Sequence, residues 1–186
     1  MKSKKKLIIP GILILVAAIL LLFPQVGQFL KDQFFMKATV EKLENSVILS
    51  DQELDIELKG INTPDTNLKT LKNKTLLLNF WGTWCQPCRE EWPSLQALYD
   101  GKKDDMNFAL IAMQDKEEAV RKFVKENNYT APVYIAQSPM DAKLLPQVFP
   151  TTYLITNTGQ IAKKEEATFD WNSPEIHTFI NNISKK

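Results

Sequence analysis

The sequence predicts an α/β protein in which strands and helices alternate, carried behind an apolar N-terminal segment. Three observations predict it. Two apolar runs, residues 76–81 and 108–113, are too short for helices, and each is followed by a stretch of helical period. The first six residues hold four lysines and precede a stretch, 7–23, with no charge and no strongly polar side chain. The chain's two cysteines fall in one pentapeptide, Trp84-Cys85-Gln86-Pro87-Cys88, where the first apolar run hands over to the first helical pattern.

Lys2, Lys4, Lys5 and Lys6 followed by residues 7–23 read as a signal peptide or an anchor. As a helix that stretch reaches only about 25 Å against a hydrocarbon core of ~30 Å, but residues 24–30 continue it without charge, and tilt supplies the rest. Phe23-Pro24-Gln25-Val26-Gly27 offers no small-x-small cleavage pair, so the expectation is an uncleaved, single-pass signal-anchor. No cysteine lies nearby for lipid attachment. The lysine flank holds the N-terminus in the cytoplasm and sends the remainder to the extracytoplasmic (periplasmic) side. The expected organisation is a basic flank and transmembrane signal-anchor over 1–30, a juxtamembrane segment over 31–50 and one domain over 51–186.

Within the juxtamembrane segment, Phe34 and Phe35 mark the membrane-proximal juncture, and 38–44 with 47–49 can pair as a hairpin across Asn45-Ser46. Leu54, Ile56 and Leu58 alternate with Asp55 and Glu57, a strand pattern that ends in a turn over 60–66. Residues 76–81 form a buried strand and Gly82-Thr83 the turn after it. Cys88, Trp92, Leu95 and Tyr99, at steps of four, three and four, lie on one face of a helix running to about residue 100. Residues 108–113 form a second buried strand, and Ala119, Val120, Phe123 and Val124 define a helix over 116–127. Right-handed crossovers make these two strands parallel neighbours, with helices packed on the sheet. Then come a strand at 133–136, a helical turn at 141–145, a strand at 153–156 and a tight turn at Asn157-Thr158-Gly159 into 160–164. A last helix has Ser173 as N-cap and Pro174 at its first position, and buries Ile176, Phe179, Ile180 and Ile183. The single histidine, His177, sits beside that stripe and reads as a surface or half-buried structural residue.

The placement of the cysteines carries the chemistry. Cys85 lies at a helix N-terminus, where unpaired N–H groups and the positive dipole end can lower a cysteine pKa from ~8.5 to roughly 3.5–7.5. Cys88 lies one turn further in, so the Cα atoms come within the roughly 4.4–6.8 Å that a disulfide needs. Cys85 alone is expected to be exposed. A zinc half-site lacks ligands, because the chain offers no third cysteine and one distant histidine. A purely structural disulfide would close so short a loop that it restrains the unfolded chain little. Thiol–disulfide exchange remains.

Phe80-Trp81-Gly82-Thr83-Trp84-Cys85-Gln86-Pro87-Cys88-Arg89-Glu90-Glu91-Trp92-Pro93 resembles the active-site segment of the thioredoxin superfamily, most closely its membrane-anchored TlpA/ResA-like branch. Pro87 between the cysteines, Trp84 before the first and Pro93 five residues after the second fall where that family has them. Phe149-Pro150-Thr151-Thr152-Tyr153-Leu154-Ile155 is similar to its second signature, a cis-proline ahead of a strand. The two together span roughly residues 50–185. The resemblance implies a thioredoxin-like fold with a central mixed sheet flanked by helices, Cys85 and Cys88 as the catalytic redox disulfide, and a cis Phe149–Pro150 bond facing them. It also implies a disulfide-bearing protein substrate, a membrane thiol donor, and no metal or other cofactor. Pro146, a second proline close to Pro150, departs from the relatives and bears on substrate preference rather than on fold.

Two supporting residues keep two readings each. Glu91 stands where TlpA/ResA-like proteins carry a glutamate that tunes the cysteines; facing the pair, a carboxylate there would oppose thiolate formation, whereas the plainer reading is a solvated helix glutamate like Glu90. Trp84 either shields the site and contacts partners or packs into the core.

Composition narrows the function classes. With 23 basic and 22 acidic residues there is no basic patch for nucleic acid, and without the four N-terminal lysines the count is 19 against 22. A copper-delivering relative on the same fold would want a histidine near the cysteines, for which His177 is poorly placed. A thiol peroxidase would want threonine three residues before its attacking cysteine, where Gly82 stands. Neutral Gln86 and Pro87 between the cysteines supply no charge to favour a thiolate, which points to a reductase. Its partner could be an apocytochrome c awaiting haem, another envelope thiol protein or a stress-response substrate, and no residue separates these.

Overall fold

A computed structural model of the protein describes residues 47–184. The expected anchor, 1–30, lies outside the described residues, as does most of the juxtamembrane segment 31–50, including one arm of its hairpin. Among the described residues no helix is long and apolar enough to cross a membrane.

Seven strands make one mixed sheet. In chain order they are β1 (Glu57–Gly60), β2 (Thr66–Asn67), β3 (Leu76–Trp81), β4 (Asn107–Ala112), β5 (Val133–Ala136), β6 (Thr151–Ile155) and β7 (Ile161–Glu165). Their spatial order is β2-β1-β5-β4-β3-β6-β7. As expected, β3 and β4 are parallel neighbours; β5 continues the parallel set, and β6 joins β3 antiparallel. Among the described residues three α-helices accompany the sheet: α1 (Gln86–Lys102), α2 (Glu117–Glu126) and α3 (Pro174–Ser184).

The largely apolar character of β3 and β4, broken only by Asn79 within β3 and Asn107 at the start of β4, follows from burial on both faces. Alternation divides their side chains. Leu77, Trp81, Phe108 and Leu110 join α1 (Cys88, Trp92, Leu95, Leu98), α2 (Val120, Val124) and α3 (Ile176, Phe179, Ile180, Ile183) in one core. Leu76, Leu78, Phe80, Ala109 and Ile111 join Leu49, Leu54, Ile56, Leu58 and Leu68 in the other. Among the described residues the sheet is flanked unevenly: the three α-helices pack on one face, and the other is covered by the chain ahead of β3, including a 3-10 helix, Leu68–Asn73. Chirality explains this, since β3, β4 and β5 step across the sheet in one direction, and right-handed crossovers then put α1 and α2 on the same side.

Shorter elements depart from the sequence reading. Leu54, Ile56 and Leu58 are buried as their alternation requires, yet the regular strand starts only at Glu57, because the Glu53 carboxylate accepts the Ser50 amide and hydroxyl (2.7 and 2.8 Å) and closes a turn there. Strand β2 and the 3-10 helix, capped by the Asn67 side chain on the Lys69 amide, carry too little pattern to be read. Residues 47–49 run antiparallel to 159–161, with the Leu49 amide on the Gly159 carbonyl (2.8 Å) and the Ile161 amide on the Val47 carbonyl (2.9 Å). Gly159 makes that seam possible. It sits at φ +86°, and a Cβ there would stand 2.4 Å from the Leu49 carbonyl oxygen.

Candidate active site

Strand β3 delivers the motif to the carboxyl end of the parallel strands, where Gly82 and Thr83 turn the chain into α1. Cys85 is the N-cap of α1, in extended conformation, and its sulfur accepts the Cys88 amide at 3.2 Å. A sulfur that caps a helix with an inward-pointing N–H is placed to carry negative charge. Cys85 and Cys88 are joined as a disulfide, with Cα atoms 5.3 Å apart. Cys85 is less exposed than expected, at 5% against 1% for Cys88, because both pack into the core beneath α1.

Trp84 is 52% exposed, which removes the core-packing reading. Its indole N–H donates to the Met113 carbonyl at 3.1 Å, and its ring meets Phe149 edge-on, centroids 5.3 Å apart. The Phe149–Pro150 peptide bond is cis and Pro150 is buried, so the second signature lies beside the first through that aromatic contact. Val148 and Leu145, in the same loop, are exposed apolar side chains.

Glu91 is 1% exposed, which removes the solvated reading. One turn past Cys88 on α1, its Oε1 accepts the Trp171 indole N–H (2.7 Å) and the Phe169 amide (3.2 Å), and its Oε2 accepts the Asn79 side-chain amide (3.2 Å). Burial pushes its pKa up to about 7; the three hydrogen bonds oppose the shift and the Glu165 charge adds to it. All three donors are neutral. Asn79 also donates to the Thr152 hydroxyl (2.7 Å), which links β3 to β6 beneath the site. His177, on α3, pairs with the Asn172 side chain at 2.9 Å. Of the residues picked from sequence, then, the fold gathers Cys85, Cys88, Trp84 and Pro150 at one end of the sheet, with Glu91 buried behind the cysteines on their own helix.

Asn79, Trp171 and Asp115 escaped the sequence reading. Asn79 carried a signal, a single polar residue inside an otherwise apolar strand. Trp171, 80 positions from Glu91, carried none.

With the geometry in place, the family is decided by its reach along the chain: the AhpC/TSA family profile matches residues 49–164. The chain belongs to the AhpC/TSA family. This family member is 32% identical to the thiol-disulfide oxidoreductase ResA of Bacillus cereus over 155 residues, covering 80% of this chain and 84% of that one. It is 31% identical over 126 residues to the thioredoxin-like protein YneN of Bacillus subtilis, covering 66% and 74%. Among solved structures it resembles StoA from Bacillus subtilis (TM-score 0.52, 23% identity, 68% and 93% covered) and a thiol:disulfide interchange protein from Bacteroides sp. (TM-score 0.60, 23% identity, 75% and 92% covered). The AhpC/TSA chain is thus a thioredoxin-like thiol–disulfide oxidoreductase, with a CxxC at the site.

Proposed function

We propose that this oxidoreductase works as a reductase of protein disulfides on the extracytoplasmic side of the cytoplasmic membrane, held there by residues 1–30 and recharged by a membrane thiol donor. The Cys85 thiolate attacks one sulfur of the partner's disulfide and releases the other as a thiolate. Cys88, deprotonated, then attacks Cys85 in the mixed disulfide, which frees the partner's second thiolate and leaves Cys85–Cys88 oxidised; two electrons have passed to the partner. Apocytochrome c is one substrate this chemistry suits.

The observation that carries the direction is Glu91. A buried carboxylate that ionises near pH 7 next to the CxxC turn, satisfied only by neutral donors, opposes a second negative charge on the cysteines. A strongly oxidising CxxC needs the opposite, a stabilised thiolate in its reduced form, as at about −120 mV with an attacking-cysteine pKa near 3.5. The helix N-terminus favours the thiolate and Glu91 counters it, so the site belongs near the reducing end, toward about −270 mV. Equilibrating the purified protein with glutathione or dithiothreitol buffers measures the potential. A value above about −180 mV would make the protein an oxidant or isomerase and overturn the reading.

A further inference from the structure

The turn that carries the cysteines is tied to a segment the exchange chemistry does not use. Residues 113–116, between β4 and α2, form four hydrogen bonds with residues 81–84. The Met113 amide donates to the Trp81 carbonyl (2.8 Å), and the Trp84 indole donates to the Met113 carbonyl (3.1 Å). Asp115 accepts the other two: the Thr83 amide at Oδ2 (2.6 Å) and the Thr83 hydroxyl at Oδ1 (3.1 Å). Oδ1 also accepts the Lys116 amide (2.9 Å), which fixes the carboxylate in its plane. A backbone N–H given to a carboxylate is among the stronger hydrogen bonds a loop can make. Gln114, between the two anchoring residues, stands at φ 52°, a left-handed conformation that a side chain disfavours and that the bonds on either side maintain.

The clasp also determines how Trp84 is displayed. Its indole lies over Gly82, where a Cβ would stand 2.4 Å from Nε1; its N–H is taken by Met113, and its ring makes a T-shaped contact with Phe149. Although half exposed, the ring is held on three sides. A rigid aromatic surface of this kind binds a partner with little further loss of freedom.

We propose that Asp115 is a positioning residue for exchange with protein disulfides: by holding Thr83 it fixes the Trp84-Cys85 arm in one orientation, so that Trp84 meets the partner chain while Cys85 meets its disulfide. This rests on Cys85 as the attacking thiol. The test is single-turnover oxidation of the reduced full chain by insulin and, separately, by glutathione disulfide, followed by tryptophan fluorescence. In each case the protein's dithiol gives two electrons and two protons to the added disulfide, which becomes two thiols.

Asp115→Ala is expected to slow the insulin reaction about tenfold or more, the scale on which a small misplacement of reacting groups is felt, and to lower the ratio of insulin to glutathione rates at least about fivefold. Asp115→Asn, which retains an oxygen for the Thr83 amide, is expected to stay within about threefold of the native rate. A purely structural residue would move the melting temperature and leave that ratio alone. The proposal is overturned if Asp115→Ala keeps the native ratio, or if Asp115→Asn is as slow as Asp115→Ala. Should Asp115→Ala fail to fold, hydrogen exchange on the native chain decides: the Thr83 amide must be protected, and exchange at the rate of a free loop amide overturns the proposal. Cys85→Ser, run alongside, loses both reactions if Cys85 attacks, whatever Asp115 does, so the two claims fail separately.

Discussion

Cys85 and Cys88 differ by a single helical turn, and that difference assigns their roles. Cys85 caps the helix and receives the Cys88 amide, while Cys88 sits inside the first turn. Cys88→Ala is therefore expected to leave covalent mixed disulfides with partners, visible on non-reducing gels, and Cys85→Ser to leave none. Equal alkylation rates for the two cysteines in the single mutants would contradict the assignment. At this scale the sequence was most informative, because a CxxC at a strand–helix junction states its chemistry in four letters. Glu91 and Trp84 were ambiguous for a physical reason: helical period says which residues share a face, not what the rest of the chain lays over them. The loop bearing Phe169 and Trp171 buries Glu91, whereas Phe149, the Met113 carbonyl and Gly82 border Trp84 and leave half of it exposed.

Glu91 also fastens three elements together: α1, on which it stands, β3 through Asn79, and the segment between β7 and α3 through Phe169 and Trp171. Ser94 strengthens the last contact, its hydroxyl accepting the Trp171 amide at 3.2 Å. Because the native pKa of Glu91 is about 7 against an ordinary 4.5, the folded state holds its proton more tightly than the unfolded one between those values. Stability therefore rises as pH falls through 7 and the gain is complete near 4.5; above 7 the burial cost is borne in full, up to about 3 kcal/mol. Glu91→Gln should flatten this dependence, as measured by urea unfolding at pH 5 and pH 8. Parallel pH profiles for native and variant protein would contradict it. Strand and helix positions were legible because apolar period survives without tertiary context. The Asn79–Glu91–Trp171 network was not, since it joins residues 12 and 80 positions apart that only the folded chain brings together.

For the whole molecule, the lysine-flanked apolar stretch predicts that the protein stays with the membrane on cell fractionation. A soluble mature form beginning near Gln25 or later, found by N-terminal sequencing, would defeat that expectation. Sheet order was beyond the sequence, because β5 inserts beside β4 through a crossover, and nothing in 133–136 announces its neighbours. The seam between residues 47–49 and 159–161 bears on a different hazard, uncontrolled association between copies. A sheet's outer strands offer unpaired N–H and C=O groups to any other extended chain. Here one outer strand, β2, is two residues long, and the start of the other, β7, is already covered by the incoming polypeptide. A chain begun at Gln52 would lose this cover along with the buried Leu49, whose removal alone is worth about 2–5 kcal/mol by analogy with core Leu→Ala changes. It should scatter light and unfold at lower urea than one begun at Lys42; equal solubility and stability would contradict the idea. Residues 47–49 thus act as a guard against aggregation.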